Sequence, residues 1–130
     1  MRFSRQREAL IEVLRARYDH PTAETLYHTL REEQPNISLG TVYRNLSLLE
    51  TRGEVLRIQS LAGPDRYDAD ISPHDHLHCR ACGAVIDLQR THEAIDLQRI
   101  RVEARRQGVQ VEDFQVSFIG LCTACAAKAR

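Results

Sequence analysis

Residues 38–55 read SLGTVYRNLSLLETRGEV, and this stretch decides the fold. Leu39, Val42, Leu46 and Leu49 follow the 3, 4, 3 spacing of a single buried helical stripe. Ser38 stands where an N-cap belongs and Gly53 where a helix stops. Working back from Ser38, Pro35-Asn36 breaks an earlier helix that Thr22 caps, with Glu24 in its first turn and Leu26, Tyr27 and Leu30 on one face. Ala9, Leu10, Val13 and Leu14 keep helical spacing before Asp19-His20-Pro21 ends the run. Working forward from Gly53, residues 54–59 read as a short strand, Ala62-Gly63-Pro64-Asp65 as a turn, and residues 66–70 as the return strand. Three helices followed by a hairpin outline a winged helix-turn-helix, although generic three-helix cores share that pattern.

With its apolar stripe removed, the third helix leaves Ser38, Thr41, Tyr43, Arg44 and Ser47 facing outward. Arginine can read guanine bidentately, and tyrosine can meet a thymine methyl or a phosphate. An ordinary solvated face has the same pattern.

The second half starts near Ser72-Pro73. Leu77 to Cys79 and Val85 to Leu88 read as strands around a Cys-Gly turn. Ala94, Leu97, Ile100 and Ala104 mark a helix closed by Gly108, after which Val109, Val111, Phe114, Val116 and Phe118 alternate as strands. The sum is an α+β chain, with a helical domain over residues 1–70 and a small α/β domain over 71–130. A domain that small has little core of its own and needs a staple or a partner.

The four cysteines fall as Cys79-x-x-Cys82 and Cys122-x-x-Cys125. Each pair sets two thiolates around a tight turn, and four thiolates make the closed shell of a structural zinc. The competing reading, a redox dithiol, lacks a thioredoxin-like context. Around the first pair, residues 73–83 read PHDHLHCRACG. On an extended segment His74, His76 and His78 share one face and Cys79 takes the other. His74 and His76 can converge on one ion, with Asp68 upstream and Asp87 one strand downstream. Such an imidazole and carboxylate shell suits Fe(II) or Mn(II), and zinc also enters it. A polar strand with solvated histidines has the same spacing. His20, just before Pro21, reads as a cap or surface residue when taken alone.

Over 130 residues the charge balances, 18 basic against 18 acidic, so no global polycation announces nucleic acid. No apolar run has the roughly 18 residues of a membrane span, and the first residues lack the apolar segment of a signal peptide. The expected compartment is the cytoplasm.

Together these segments resemble the ferric uptake regulator family. The likeness lies in RFSRQR at 2–7, HPTAETLY at 20–27, the 38–55 stretch, DRYDAD at 65–70, PHDHLHCRACGAVIDL at 73–88 and GLCTAC at 120–125. It spans essentially the whole chain in order. It implies a winged-helix DNA-binding domain, an α/β dimerisation domain, and a zinc on Cys79, Cys82, Cys122 and Cys125. It further implies a regulatory Fe(II) or Mn(II) on His20, Asp68, His74, His76 and Asp87. The implied function is transcriptional repression by a homodimer on an inverted-repeat operator, with no enzyme activity. Arg2, Ser38, Thr41, Tyr43 and Arg44 are the expected DNA contacts, Arg2 reaching the minor groove.

Aspartate at both Asp68 and Asp87 resembles the peroxide-sensing branch, in which a ligand histidine is oxidised. His20 and His74 match the positions affected. Phe114 stands where iron-sensing members carry a ligand of a further metal site. Arg44 instead resembles the iron-uptake members, so an iron-, manganese- or zinc-uptake regulator is the alternative. His78, in a usually apolar family position, is expected to face solvent.

Overall fold

The structure is a computed structural model, and it describes residues 5–60 and 63–129. Arg2 and Ala62 therefore lie outside the described residues. The chain forms two compact units, the first running to Ser72 and the second starting at Pro73.

The first unit holds α1 (Arg5–Arg15), α2 (Ala23–Arg31), α3 (Leu39–Thr51) and a hairpin of β1 (Leu56–Ile58) and β2 (Arg66–Asp68). The caps fall where the hydroxyl residues put them. Thr22 Oγ1 accepts from the Thr25 N–H at 3.2 Å, and Ser38 Oγ from the Thr41 N–H at 3.1 Å. Each satisfies an amide that the first helical turn leaves without a backbone partner. Gly53, at φ +74°, takes the left-handed position that ends α3. Leu10, Leu14, Leu26, Val42, Leu46 and Val55 are essentially sealed from solvent and form one core with Leu30, Leu49 and Tyr67. Burying each leucine contributes about 1.5–3 kcal/mol, so this core dominates the stability of the unit.

The wing is shorter than the sequence pattern, three residues per strand, with Leu56 opposite Asp68. Its return strand also reaches the α1–α2 junction. The Tyr67 N–H donates to the Pro21 carbonyl at 3.0 Å, and Arg66 bridges to Thr22. That stitch sets β2 beside His20.

The second unit contains β3 (Asp75–Cys79), β4 (Val85–Leu88), a 3-10 turn (Thr91–Ala94), α4 (Leu97–Arg106), β5 (Ser117–Gly120) and α5 (Thr123–Lys128). The sheet order is β4-β3-β5, with β4 antiparallel and β5 parallel to β3.

Two expectations fail in this unit. No strand forms over residues 109–116. The Arg101 guanidinium donates instead to the Val111 and Glu112 carbonyls at 3.2 Å each, and Asp113 Oδ1 accepts from the Phe114 N–H at 2.8 Å. Side chains thus hold backbone groups that a strand would give to a ladder. His78 is buried rather than facing solvent. It sits mid-sheet, opposite Val85 on β4 and Ile119 on β5, so neighbouring strands cover it from both sides.

Candidate metal centre

The two Cys-x-x-Cys turns meet. Cys79 ends β3, Cys82 lies in the following turn, and Cys122 and Cys125 flank the start of α5. The turn is closed by the Gly83 N–H donating to the Cys79 carbonyl at 3.0 Å, with Gly83 at φ +79°. The Arg80 N–H donates to the Gly120 carbonyl at 2.9 Å, which draws the second pair alongside. All four sulfurs lie within 4.8 Å of one another, and Cys82 Sγ is 3.7 Å from Cys122 Sγ. With zinc–sulfur bonds of about 2.3 Å, the edge of a sulfur tetrahedron is about 3.8 Å. The four cysteines therefore fit a structural zinc.

Their local field favours thiolates at two corners. Backbone N–H groups of Cys122 and Cys82 hold the Cys79 thiol down to about 6. The Cys125 backbone N–H lowers the Cys122 thiol. The Cys125 thiol is pushed up to about 12 by Cys122, Cys79 and Cys82, because clustered thiolates resist one more negative charge. A divalent cation relieves that repulsion.

The first unit contributes a second donor set. His20 is buried, and its Nε2 lies 3.3 Å from Asp68 Oδ2. The other carboxylate oxygen, Oδ1, accepts from the Asp70 N–H at 2.9 Å, which fixes the aspartate. His20 adopts φ +53°, a left-handed backbone uncommon for a residue with a side chain and costing about 1–2 kcal/mol. The Arg66 guanidinium donates to the His20 carbonyl at 3.0 Å.

The second unit contributes a third. Sheet register sets His76 directly opposite Asp87. Asp87 Oδ1 lies 3.2 Å from His76 Nε2 and 3.3 Å from His74 Nε2, with the two imidazoles edge to face at 4.6 Å. His76 and its cross-strand aspartate thus share one side of the sheet, and His74, just before β3, reaches the same carboxylate. Imidazole and carboxylate donors in this mixture suit Fe(II), Mn(II) or Zn(II).

Sequence reasoning missed two contacts around these donors. Asp75, buried between the two histidines in sequence, accepts from Thr91 Oγ1 at 2.7 Å. Arg66, a strand residue in the sequence pattern, donates to the His20 carbonyl. The available signals were an aspartate adjoining both candidate histidines and an arginine two residues before Asp68.

On α3, Tyr43, Arg44, Ser38 and Ser47 are exposed and Thr41 is half-buried. Arg44 Nη2 donates to Thr41 Oγ1 at 3.2 Å, and that hydroxyl shares a 2.8 Å hydrogen bond with Ser38 Oγ.

A sequence model of the ferric uptake regulator family matches residues 1–119. The chain belongs to that family. As a ferric uptake regulator family member it is a transcriptional regulator rather than an enzyme, and its helical unit with a wing is the family's winged helix-turn-helix. It is 31% identical to the peroxide-responsive repressor PerR of Staphylococcus saprophyticus, over 98% of this chain and 84% of that protein. The Campylobacter jejuni peroxide stress regulator is similar in structure, with a TM-score of 0.71 at 31% identity over 92% of this chain and 88% of that one. A zinc uptake regulator complexed with zinc and DNA gives a TM-score of 0.75 over 99% of this chain and 86% of that one, and at 23% identity it shows a shared fold.

Proposed function

We propose that this chain is a cytoplasmic, metal-dependent repressor that binds an inverted-repeat operator as a homodimer and responds to peroxide. The observation that carries the reading is Asp87 Oδ1 within 3.3 Å of two imidazole nitrogens, those of His74 and His76. A carboxylate set between two imidazoles is a donor group for a divalent cation. In this reading His20, Asp68, His74, His76 and Asp87 hold one Fe(II) or Mn(II), while Cys79, Cys82, Cys122 and Cys125 hold zinc.

Fe(II), when bound, supplies the electron that reduces peroxide beside a ligand imidazole. The chain's residues do the rest: the aspartates hold the imidazoles in place, and His20 and His74 are the side chains expected to take up oxygen. The likeness to peroxide-responsive relatives, and aspartate at both Asp68 and Asp87, support this branch.

Ser38, Thr41, Tyr43 and Arg44 would enter the major groove, with Arg2 in the minor groove. Two copies are needed to read the two halves of an inverted repeat. Exposed Ile100, Val102, Val109, Phe118 and Ile119 on the second unit support self-association, since apolar surface of this kind marks interfaces.

One observation favours the alternative, an iron-, manganese- or zinc-uptake regulator. Arg44 projects from α3, as in the iron-uptake pattern. The reading is tested by selecting operator DNA from a random pool with the zinc-loaded protein and Mn(II). Inverted repeats that are released on chelating the manganese are expected. Binding indifferent to Mn(II) would remove the regulatory site from the account.

A further inference from the structure

Three residues of one short strand act on the α1–α2 junction. The Tyr67 N–H donates to the Pro21 carbonyl, Asp68 meets the His20 imidazole, and Arg66 Nη1 donates to the His20 carbonyl at 3.0 Å. Arg66 and Asp68 stand two residues apart, so both side chains leave the same face of β2, while Tyr67 turns into the core. The strand therefore grips His20 at both ends, carboxylate on imidazole and guanidinium on carbonyl.

The grip falls on a residue whose backbone resists its position. His20 is at φ +53°, and Pro21, which follows it, has no N–H to join a turn hydrogen bond. A left-handed histidine persists only when its surroundings hold it there. The Tyr67 to Pro21 hydrogen bond and the Arg66 to Thr22 bridge already fasten the loop to the strand. The guanidinium contact comes in addition to these, and it is aimed at the peptide carbonyl of His20 itself.

We propose that Arg66 is a positioning residue for the regulatory metal, holding His20 in the left-handed geometry that presents its imidazole beside Asp68. This rests on the reading of His20 as a ligand. Arg66 touches no metal in this account and acts only through His20. It lowers the reorganisation that binding would otherwise require, because the imidazole is in place before the ion arrives.

The test is a double-mutant cycle on the full, zinc-loaded chain, reading Mn(II) affinity from the electron paramagnetic resonance signal of free Mn(II). Arg66→Met is expected to weaken Mn(II) binding roughly 10-fold or more, as loss of a partner that orients a ligand commonly does. Zinc content should stay unchanged. In a His20→Ala background the same substitution should change the affinity less than about twofold, because the residue it positions is gone. Equal weakening in both backgrounds, or none in either, overturns the proposal. His20→Ala with wild-type Mn(II) affinity overturns the ligand reading itself, and the proposal with it. If Arg66→Met does not melt cooperatively, Arg66→Lys is read in the same cycle. Lysine retains a donor without the planar fork, so it should show a smaller loss that again vanishes without His20. A loss that persists without His20 overturns the proposal.

Discussion

The sulfurs of Cys82 and Cys122 lie 3.7 Å apart, although forty positions separate the two residues in sequence. A disulfide would bring them to about 2.05 Å. Their spacing instead matches two corners of one zinc tetrahedron. The long loop between them is the part of the chain with the thinnest core, where a metal staple contributes most. Cys122→Ser should release the zinc, and the second unit should lose its cooperative melting transition. Structural zinc is commonly worth about 10–16 kcal/mol of apparent binding free energy, more than a small unit has to spare. Metal analysis beside a thermal melt checks both outcomes. Full zinc content in the variant would contradict the assignment.

Zinc retention should depend on pH in a stated direction. The Cys79 thiol titrates at about 6, so it is already a thiolate at neutral pH and becomes a competitor's site for protons only below that value. The Cys125 thiol titrates at about 12 and still carries its proton at pH 8. Binding at pH 8 should therefore release at least one proton per zinc, and affinity should fall more steeply once pH drops below about 6. Proton release followed at constant pH during zinc titration measures the first, and a chelator competition series the second.

Asp87 lies opposite His76 and reaches two imidazoles, and the four-cysteine cluster is made of other residues. Asp87→Ala should weaken Mn(II)-dependent operator binding about 10-fold or more while zinc stays in place. Operator binding by fluorescence anisotropy, with zinc counted in the same sample, separates the two sets of ligands. Loss of zinc together with the fold would show that the partition is wrong.

Arg44 and Leu46 stand two residues apart on α3, one exposed and the other sealed in the core. Leu46→Ala should cost about 2–5 kcal/mol of stability in urea unfolding. Arg44→Ala should leave stability within about 0.5 kcal/mol, while discrimination at one operator base pair falls by about 1–3 kcal/mol. If both substitutions acted only on stability, α3 would not be a reading helix.

Local signals explain what the sequence made legible. The caps at Thr22 and Ser38 and the stop at Gly53 depend on contacts within one turn, and all three stand where the residues call for them. The four-cysteine cluster was legible because its two pairs sit in tight turns whose spacing is itself the signal. What escaped depends on distant parts of the chain. The alternating apolar residues of 109–116 look like strands until Arg101 takes two of their carbonyls. His78 looks solvent-facing until β5 arrives in parallel and makes β3 the central strand. The hold of Arg66 on His20 spans 46 positions and involves a backbone carbonyl, which no side-chain pattern records.

In the proposed function, a regulatory metal on histidines and aspartates makes DNA binding sensitive to peroxide. The most direct test loads the zinc-containing protein with Fe(II) or Mn(II), adds hydrogen peroxide, and follows operator binding together with peptide masses. The account predicts one added oxygen on the peptide of His20 or His74 and loss of DNA binding with Fe(II), and an intact, DNA-bound protein with Mn(II). Operator binding that survives peroxide under both metals, with no added oxygen, would contradict it.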